Sequence, residues 1–200
     1  MTIACLDLEG VLVPEIWIAF AEKTGLSELK ITTRDEPDYD KLMRYRLNIL
    51  KREKLGLNEI KEVIAKVEPF EGAKSFLDEL RLMGQAVIIS DTFTQFAGPL
   101  MQKLGMPTIF CNTLIAEDDG TISGYKMRCA DSKLTTVRAL QSMGFETVAV
   151  GDSFNDLKMI RAGKAGFLFR STPAIIAANP EVPHYERFDD LLGAFRRAMD

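Results

Sequence analysis

The stretch CLDLEGVLV, residues 5–13, puts two acids, Asp7 and Glu9, at the end of an apolar run and directly before a glycine. In an extended chain residues i and i+2 point to one side, so this spacing brings the two carboxylates together while Leu6 and Leu8 face away. Two like charges that close repel unless water, a proton or a cation screens them, and a hard cation such as Mg2+ suits an all-oxygen pair. Taken alone, the stretch fits a solvated pair of acids at a strand end equally well.

Other polar groups also stand at the ends of apolar runs. QAVIIS at 85–90 leads into Ser90-Asp91-Thr92, and TVAV at 147–150 leads into GDSFND, which supplies Asp152, Asn155 and Asp156. In an open parallel sheet ligands bind beyond the carboxyl ends of the strands where strand order reverses, so groups distant in sequence share one crevice. Lys133 lies in ADSKLTTVRAL, where Asp131 or Ser132 reads as an N-cap and the lysine falls in the first helical turn. The helix dipole disfavours a cation there, so that lysine by itself reads as solvated; beside three carboxylate clusters and a hydroxyl it reads as a phosphate ligand.

These types together support phosphoryl chemistry. A carboxylate attacks phosphorus to form an aspartyl-phosphate, dividing one hard displacement into two, and a second acid protonates the leaving alkoxide and then deprotonates the incoming water or alcohol. Asp7 is therefore the expected nucleophile and Glu9 the expected general acid and base. Asp7, Glu9 and Asp152 are the expected ligands of Mg2+. Ser90, Asp91, Lys133 and Asn155 are expected to bind substrate, and Asp156 to hold the metal's waters or orient Lys133.

Short β-like runs at 3–8, 85–90, 108–111, 147–150 and 165–169 alternate with helical patterns such as Ala73, Phe76, Leu77 and Leu80 ahead of Gly84, or Phe188, Leu191, Leu192 and Phe195. Alternation of this kind predicts an α/β fold, a Rossmann-like three-layer core with a mostly parallel sheet. Two regions depart from it. From about residue 15 to 66 the chain reads as successive helices, with Trp17, Phe20 and Ala21 on one stripe and Leu42, Arg46, Ile49 and Leu50 on another. That is too much helix for one crossover, so a small helical cap at 14–69 is expected to interrupt a core of 1–13 and 70–200. In TLIAEDDGTISGYKMR, Asp119-Gly120 between β-prone runs predicts a β-hairpin.

The 200 residues are 46% hydrophobic and 27% charged, ordinary for a soluble globular chain, and the net charge of −4 gives no basic footprint for nucleic acid or an anionic membrane. No apolar segment is long enough to span a bilayer, and the first ten residues lack the pattern of a secretion signal. Three cysteines without CxxC spacing suggest a reducing, cytoplasmic setting. The single histidine, His184, is expected at the surface, which argues against a histidine-rich zinc site.

The ordered set DLEG, IISD, Lys133 and GDSFND resembles the four motifs of the haloacid dehalogenase superfamily of phosphotransferases, in family order across nearly the whole chain. The resemblance implies a Rossmann-like core with a helical cap after the first strand. Within that superfamily the sequence is most similar to phosphoserine phosphatases. The likeness of VPEIWIAFAEKTG implies that Glu15, across a one-residue gap, meets the substrate's ammonium. The likeness of YDKLMRYRLNIL implies that Arg46 grips its carboxylate. Two departures, Glu9 for the usual aspartate and Ser90-Asp91-Thr92 for the usual Ser-Gly-Gly, are similar to the bifunctional phosphoserine phosphatase/homoserine phosphotransferases. This implies transfer to homoserine as well as to water. The alternatives are a phosphatase of another small phosphomonoester and, more remotely, a phospho-receiver signalling module, which usually carries adjacent rather than spaced acids after its first strand.

Overall fold

The computed structural model describes residues 1–33, 35, 36 and 38–200. Strand β1 (Thr2–Leu6) is buried along its whole length, because β2 (Gln85–Phe93) and β5 (Glu146–Gly151) pair with it in parallel, one on each side, and helices cover both faces. The sheet is completed by β3 (Thr108–Ala116), β4 (Ile122–Lys126), β6 (Ala165–Phe169) and β7 (His184–Tyr185). Among the described residues the strand order is β4-β3-β2-β1-β5-β6-β7, with only the β3–β4 pair antiparallel. The chain thus moves outward from β1 to β2 and β3, then returns to β5 on the other side. Strand order reverses beside β1, and a crevice opens at the carboxyl ends of β1, β2 and β5.

Alternation along β1 feeds two cores. Ala4 and Leu6 join Phe76, Phe93, Phe188 and Phe195, under α4 (Ala73–Met83) and α9 (Phe188–Met199). Ile3 and Cys5 join Val137, Leu140, Met159 and Ile175, under α6 (Ser132–Ser142), α7 (Leu157–Ala162) and α8 (Pro173–Ala178). Burial pushes the Cys5 thiol up to about 12, which leaves it a packing group.

Between β1 and α4 the chain forms α1 (Ile16–Thr24), a 3-10 turn (Ser27–Lys30), α2 (Tyr39–Arg52) and α3 (Leu57–Ile64). The stripes read from sequence are buried, Arg46 among them. Many of their apolar residues, Trp17, Phe20 and Ile49 included, belong to the first core, and α3 packs on α5 (Thr94–Lys103). The departing and returning connections lie side by side, with Phe70 N donating to Leu12 O at 2.9 Å.

Several elements differ from the sequence reading. β1 ends at Leu6, before the acidic pair, and residues 7–13 form a turn in which Leu12 N and Val13 N both donate to Leu8 O, at 2.8 and 3.0 Å. Asp7 and Glu9 are therefore set by a turn and not by strand alternation. β2 continues through an irregularity between Ile89 and Phe93. The run at 108–111 and the first arm of the expected hairpin are one strand, β3. The short β7, carrying an exposed His184, is an unexpected edge strand added in parallel to β6.

Candidate active site

Three carboxylates meet where β1 and β5 end. Asp7, Asp152 and Asp156 each bring an oxygen within 4.8 Å of the others, and each is at most 5% exposed. Glycines make this approach possible. Gly10 has φ +79°, and a Cβ there would stand 2.4 Å from the Asp152 carboxyl carbon; a Cβ on Gly151 would stand 2.2 Å from that of Asp156. Asp156 is held on both oxygens. Its Oδ2 accepts the N–H groups of Asp152 and Ser153, both at 3.0 Å, and its Oδ1 lies 2.5 Å from Lys133 Nζ.

Lys133 Nζ also lies 3.0 Å from Asp7 Oδ1. Burial works against its charge, but Asp156, Asp7 and Asp91 outweigh that and hold the ammonium above its ordinary value. It is the second residue of α6, as expected, yet neither expected cap side chain closes that helix. Asp131 adopts φ 44° and pairs with Lys158 at 2.8 Å, while Ser132 Oγ donates to Asp91 Oδ1 at 2.8 Å. For Asp7, burial and then the neighbouring Asp156 charge push the carboxyl up to about 8, against the pull of Lys133.

Glu9 stands apart from the cluster of three. Its Oε2 accepts the Ile16 N–H at 3.0 Å, at the start of α1, and burial followed by the nearby Glu15 charge pushes it up to about 8. Of the expected metal ligands Asp7, Glu9 and Asp152, two, Asp7 and Asp152, lie among the described residues close enough to share an ion, with Asp156 as the third acid of that cluster. Those oxygen donors, buried together with a surplus of negative charge over Lys133, fit a hard divalent cation such as Mg2+.

One cleft is lined by Asp7, Glu9, Glu15, Arg46, Ser90, Asp91, Lys133, Asp152 and Asn155, so every expected site residue reaches it; Asp156, fully buried, lies behind the lining. Asn155 Nδ2 donates to Asp91 Oδ2 at 3.1 Å, and Ser90 Oγ accepts the Thr92 N–H at 3.2 Å. From α2, Arg46 lies 4.5 Å from the Trp17 ring centroid and donates from Nη2 to Ile31 O at 2.8 Å. Burial draws its pKa down to about 10, against Glu9, Tyr39 and Glu15. Its Nε is buried with no hydrogen-bond partner among the described residues, and the same holds for Thr92 Oγ1 in the same cleft.

Thr33, Tyr39 and Ser153 line the cleft without having been expected there, as does Trp17, read from its stripe as core; Thr92, read with Ser90 and Asp91 at a strand end, lines it too. Tyr39 Oη donates to Asp91 O at 2.8 Å. Its signal was an aromatic at the start of α2; that of Thr92 was a hydroxyl two residues after Ser90. Between Asp152 and α7, Phe154 is 48% exposed, whereas Met159 is buried.

A family model described as haloacid dehalogenase-like hydrolase matches residues 1–164. The chain belongs to the haloacid dehalogenase-like hydrolases. Among relatives of this hydrolase, phosphoserine phosphatase ThrH of Pseudomonas aeruginosa is 50% identical over 99% of this chain and 97% of its own length. A phosphoserine phosphatase of Pseudomonas syringae pv. tomato is 48% identical over 99% of this chain and 84% of its own. The fold is shared with a solved phosphoserine phosphatase carrying a phospho-aspartyl intermediate analogue, at a TM-score of 0.80 and 24% identity over 96% of this chain and 97% of the other. No helix among the described residues is long and apolar enough to cross a membrane.

Proposed function

We propose that this hydrolase is a Mg2+-dependent phosphoserine phosphatase that also passes the phosphoryl group to homoserine. The observation that carries the reading is the pair of buried donors without a partner among the described residues, Arg46 Nε and Thr92 Oγ1, on residues that line the cleft with Asp7 and Glu9. A buried donor without a partner costs about 1–3 kcal/mol, and an anionic substrate removes that cost. Residues 14–69 act as a cap over a core of 1–13 and 70–200. From this cap Arg46 takes the substrate carboxylate, while Glu15 at the start of α1 takes its ammonium. Lys133, Ser90 and Thr92 hold phosphoryl oxygens, with Asn155 at the rim.

An Asp7 oxygen attacks phosphorus as the bond to the serine oxygen breaks, and Glu9 gives its proton to that oxygen. The raised pKa of Glu9 keeps that proton available at neutral pH. Serine leaves, a water or a homoserine hydroxyl takes its place, and Glu9 removes the incoming proton as the new oxygen–phosphorus bond forms and the Asp7 carboxylate is released. Mg2+ held by Asp7 and Asp152, with Asp156 beside them, supplies neutralisation of phosphoryl charge when bound. The longer Glu9, in place of aspartate, reaches farther toward an acceptor, which suits an alcohol as well as water.

The test is product analysis from phosphoserine with Mg2+, with and without homoserine. Serine and phosphate are expected alone, phosphohomoserine appears when homoserine is added, and Asp7→Asn makes neither product. Phosphate release with no phosphohomoserine would remove the transfer, and full turnover by Asp7→Asn would remove the covalent route.

A further inference from the structure

Asp91 is the charged residue of the cleft that this chemistry leaves without a task. Its carboxylate is locked by two protein donors, Ser132 Oγ at 2.8 Å on Oδ1 and Asn155 Nδ2 at 3.1 Å on Oδ2. Its carbonyl accepts from Tyr39 Oη at 2.8 Å and Asn112 Nδ2 at 3.2 Å. The group is therefore fixed in the cleft wall, anchored to the residue next to Lys133, and it lines the cleft together with Lys133. Asp7 and Asp156, the other two acids acting on Lys133, belong to the cluster suited to a divalent cation, which offsets their charge; Asp91 does not.

We infer that Asp91 is a specificity-setting residue that weakens the site's hold on inorganic phosphate: its fixed negative charge competes with the bound anion for Lys133. The acid acts through Lys133 without touching substrate, which revises its expected place among the substrate-binding residues. A site that must receive a phosphoryl group, hold it briefly on Asp7 and surrender it again gains from not retaining the free product. The attraction of Asp91 for Lys133 is among the causes of that lysine's raised pKa. This inference rests on the reading that Lys133 binds the phosphoryl group.

The experiment is product inhibition by inorganic phosphate in the Mg2+-loaded enzyme, with phosphate binding measured in parallel by calorimetry. Asp91→Asn keeps the shape and removes the charge, so its inhibition constant and dissociation constant are expected to fall, by about tenfold for loss of one nearby like charge. If Asp91 were only structural, the same change would loosen Lys133 and Asn155, and both constants would rise. Constants that rise or stay unchanged overturn the inference. Ser132→Ala, which keeps the charge, is expected to give no tightening, and tightening there also overturns it. Should Asp91→Asn not fold, Asp91→Gly removes the same charge and is expected to shift both constants in the same direction. A parent enzyme that binds no phosphate overturns the phosphoryl role of Lys133 and this inference with it; a parent that binds it while the Asp91 variants fail to tighten overturns this inference alone.

Discussion

Gly10 shows how narrowly single atoms define this site. The left-handed backbone costs an L-residue about 1–2 kcal/mol, and an added methyl would also collide with the Asp152 carboxyl group. Gly10→Ala is expected to lower unfolding free energy by about 2 kcal/mol or more in urea titrations and to displace Asp152 enough to cost activity. Parent-like stability and turnover would show that Asp152 has room to yield. Arg46 offers a test of substrate choice. Arg46→Ala is expected to cut kcat/KM for phosphoserine by about a hundredfold while leaving a simple aryl phosphate within a few-fold, since only the first has a carboxylate to lose. Equal losses would favour another phosphomonoester as substrate. Asp7, Glu9 and Asp152 were legible as cleft residues because charged types just after apolar runs are costly and therefore informative, and Lys133 because a cation in the first turn of a helix is disfavoured. The roles of Thr92 and Tyr39 were not, since a hydroxyl gains significance only when its neighbours leave it without a partner or carry it across the cleft.

Two tyrosines tie the helical insertion to the sheet in opposite directions. Tyr39 at the start of α2 donates to Asp91 O of β2, and Tyr125 of β4 donates to Asp40 of α2, with the two rings edge to face at 6.0 Å. The hairpin turn adds a third tie, Leu57 N to Gly120 O at 2.8 Å. Tyr125→Phe removes one hydroxyl and keeps the ring, so it isolates a bond of about 1 kcal/mol. The expected result is a rise of about three- to tenfold in KM for phosphoserine with kcat not lowered, and faster amide exchange in the first turn of α2. Unchanged KM and exchange would mean that the hairpin does not hold the insertion down. The hairpin itself was legible from Asp119-Gly120, and the insertion from its uninterrupted helical periodicity. Their docking was not, because the contacts join residues 63 and 85 positions apart and no local pattern encodes a partner at that distance. The end of β1 was misread for a related reason: local alternation favoured continuing to Leu8, while the positive φ at Gly10 and the bond from Leu8 N to Asp7 Oδ1 at 2.8 Å turn the chain earlier.

Across the whole molecule, the concentration of acid at one sheet edge ties stability to proton and cation supply. In the metal-free chain Asp7 and Glu9 are both pushed up to about 8, burial being the larger cause in each, while in the unfolded chain they return to their ordinary values of 3.8 and 4.5. Between those limits the folded protein retains protons that the unfolded chain has lost. The contribution is full below about pH 4 and disappears as pH rises through about 8, so stability falls with pH across this window. The acids outside the cleft whose pKa values are lowered by partners, Glu28, Glu36, Asp119, Glu146 and Glu181, act below their ordinary carboxylate range and do not offset the fall. Thermal melts of chelator-treated protein are therefore expected to show Tm dropping from pH 5 to pH 8, with a shallower drop in Glu9→Gln. Mg2+ favours the ionised cluster, so the rise in Tm on adding it should grow over the same interval. Metal-free protein that becomes more stable from pH 5 to pH 8, or a Mg2+ effect that shrinks, would contradict a buried, proton-holding acid cluster. It would mean that these carboxylates are already ionised and compensated by the protein alone.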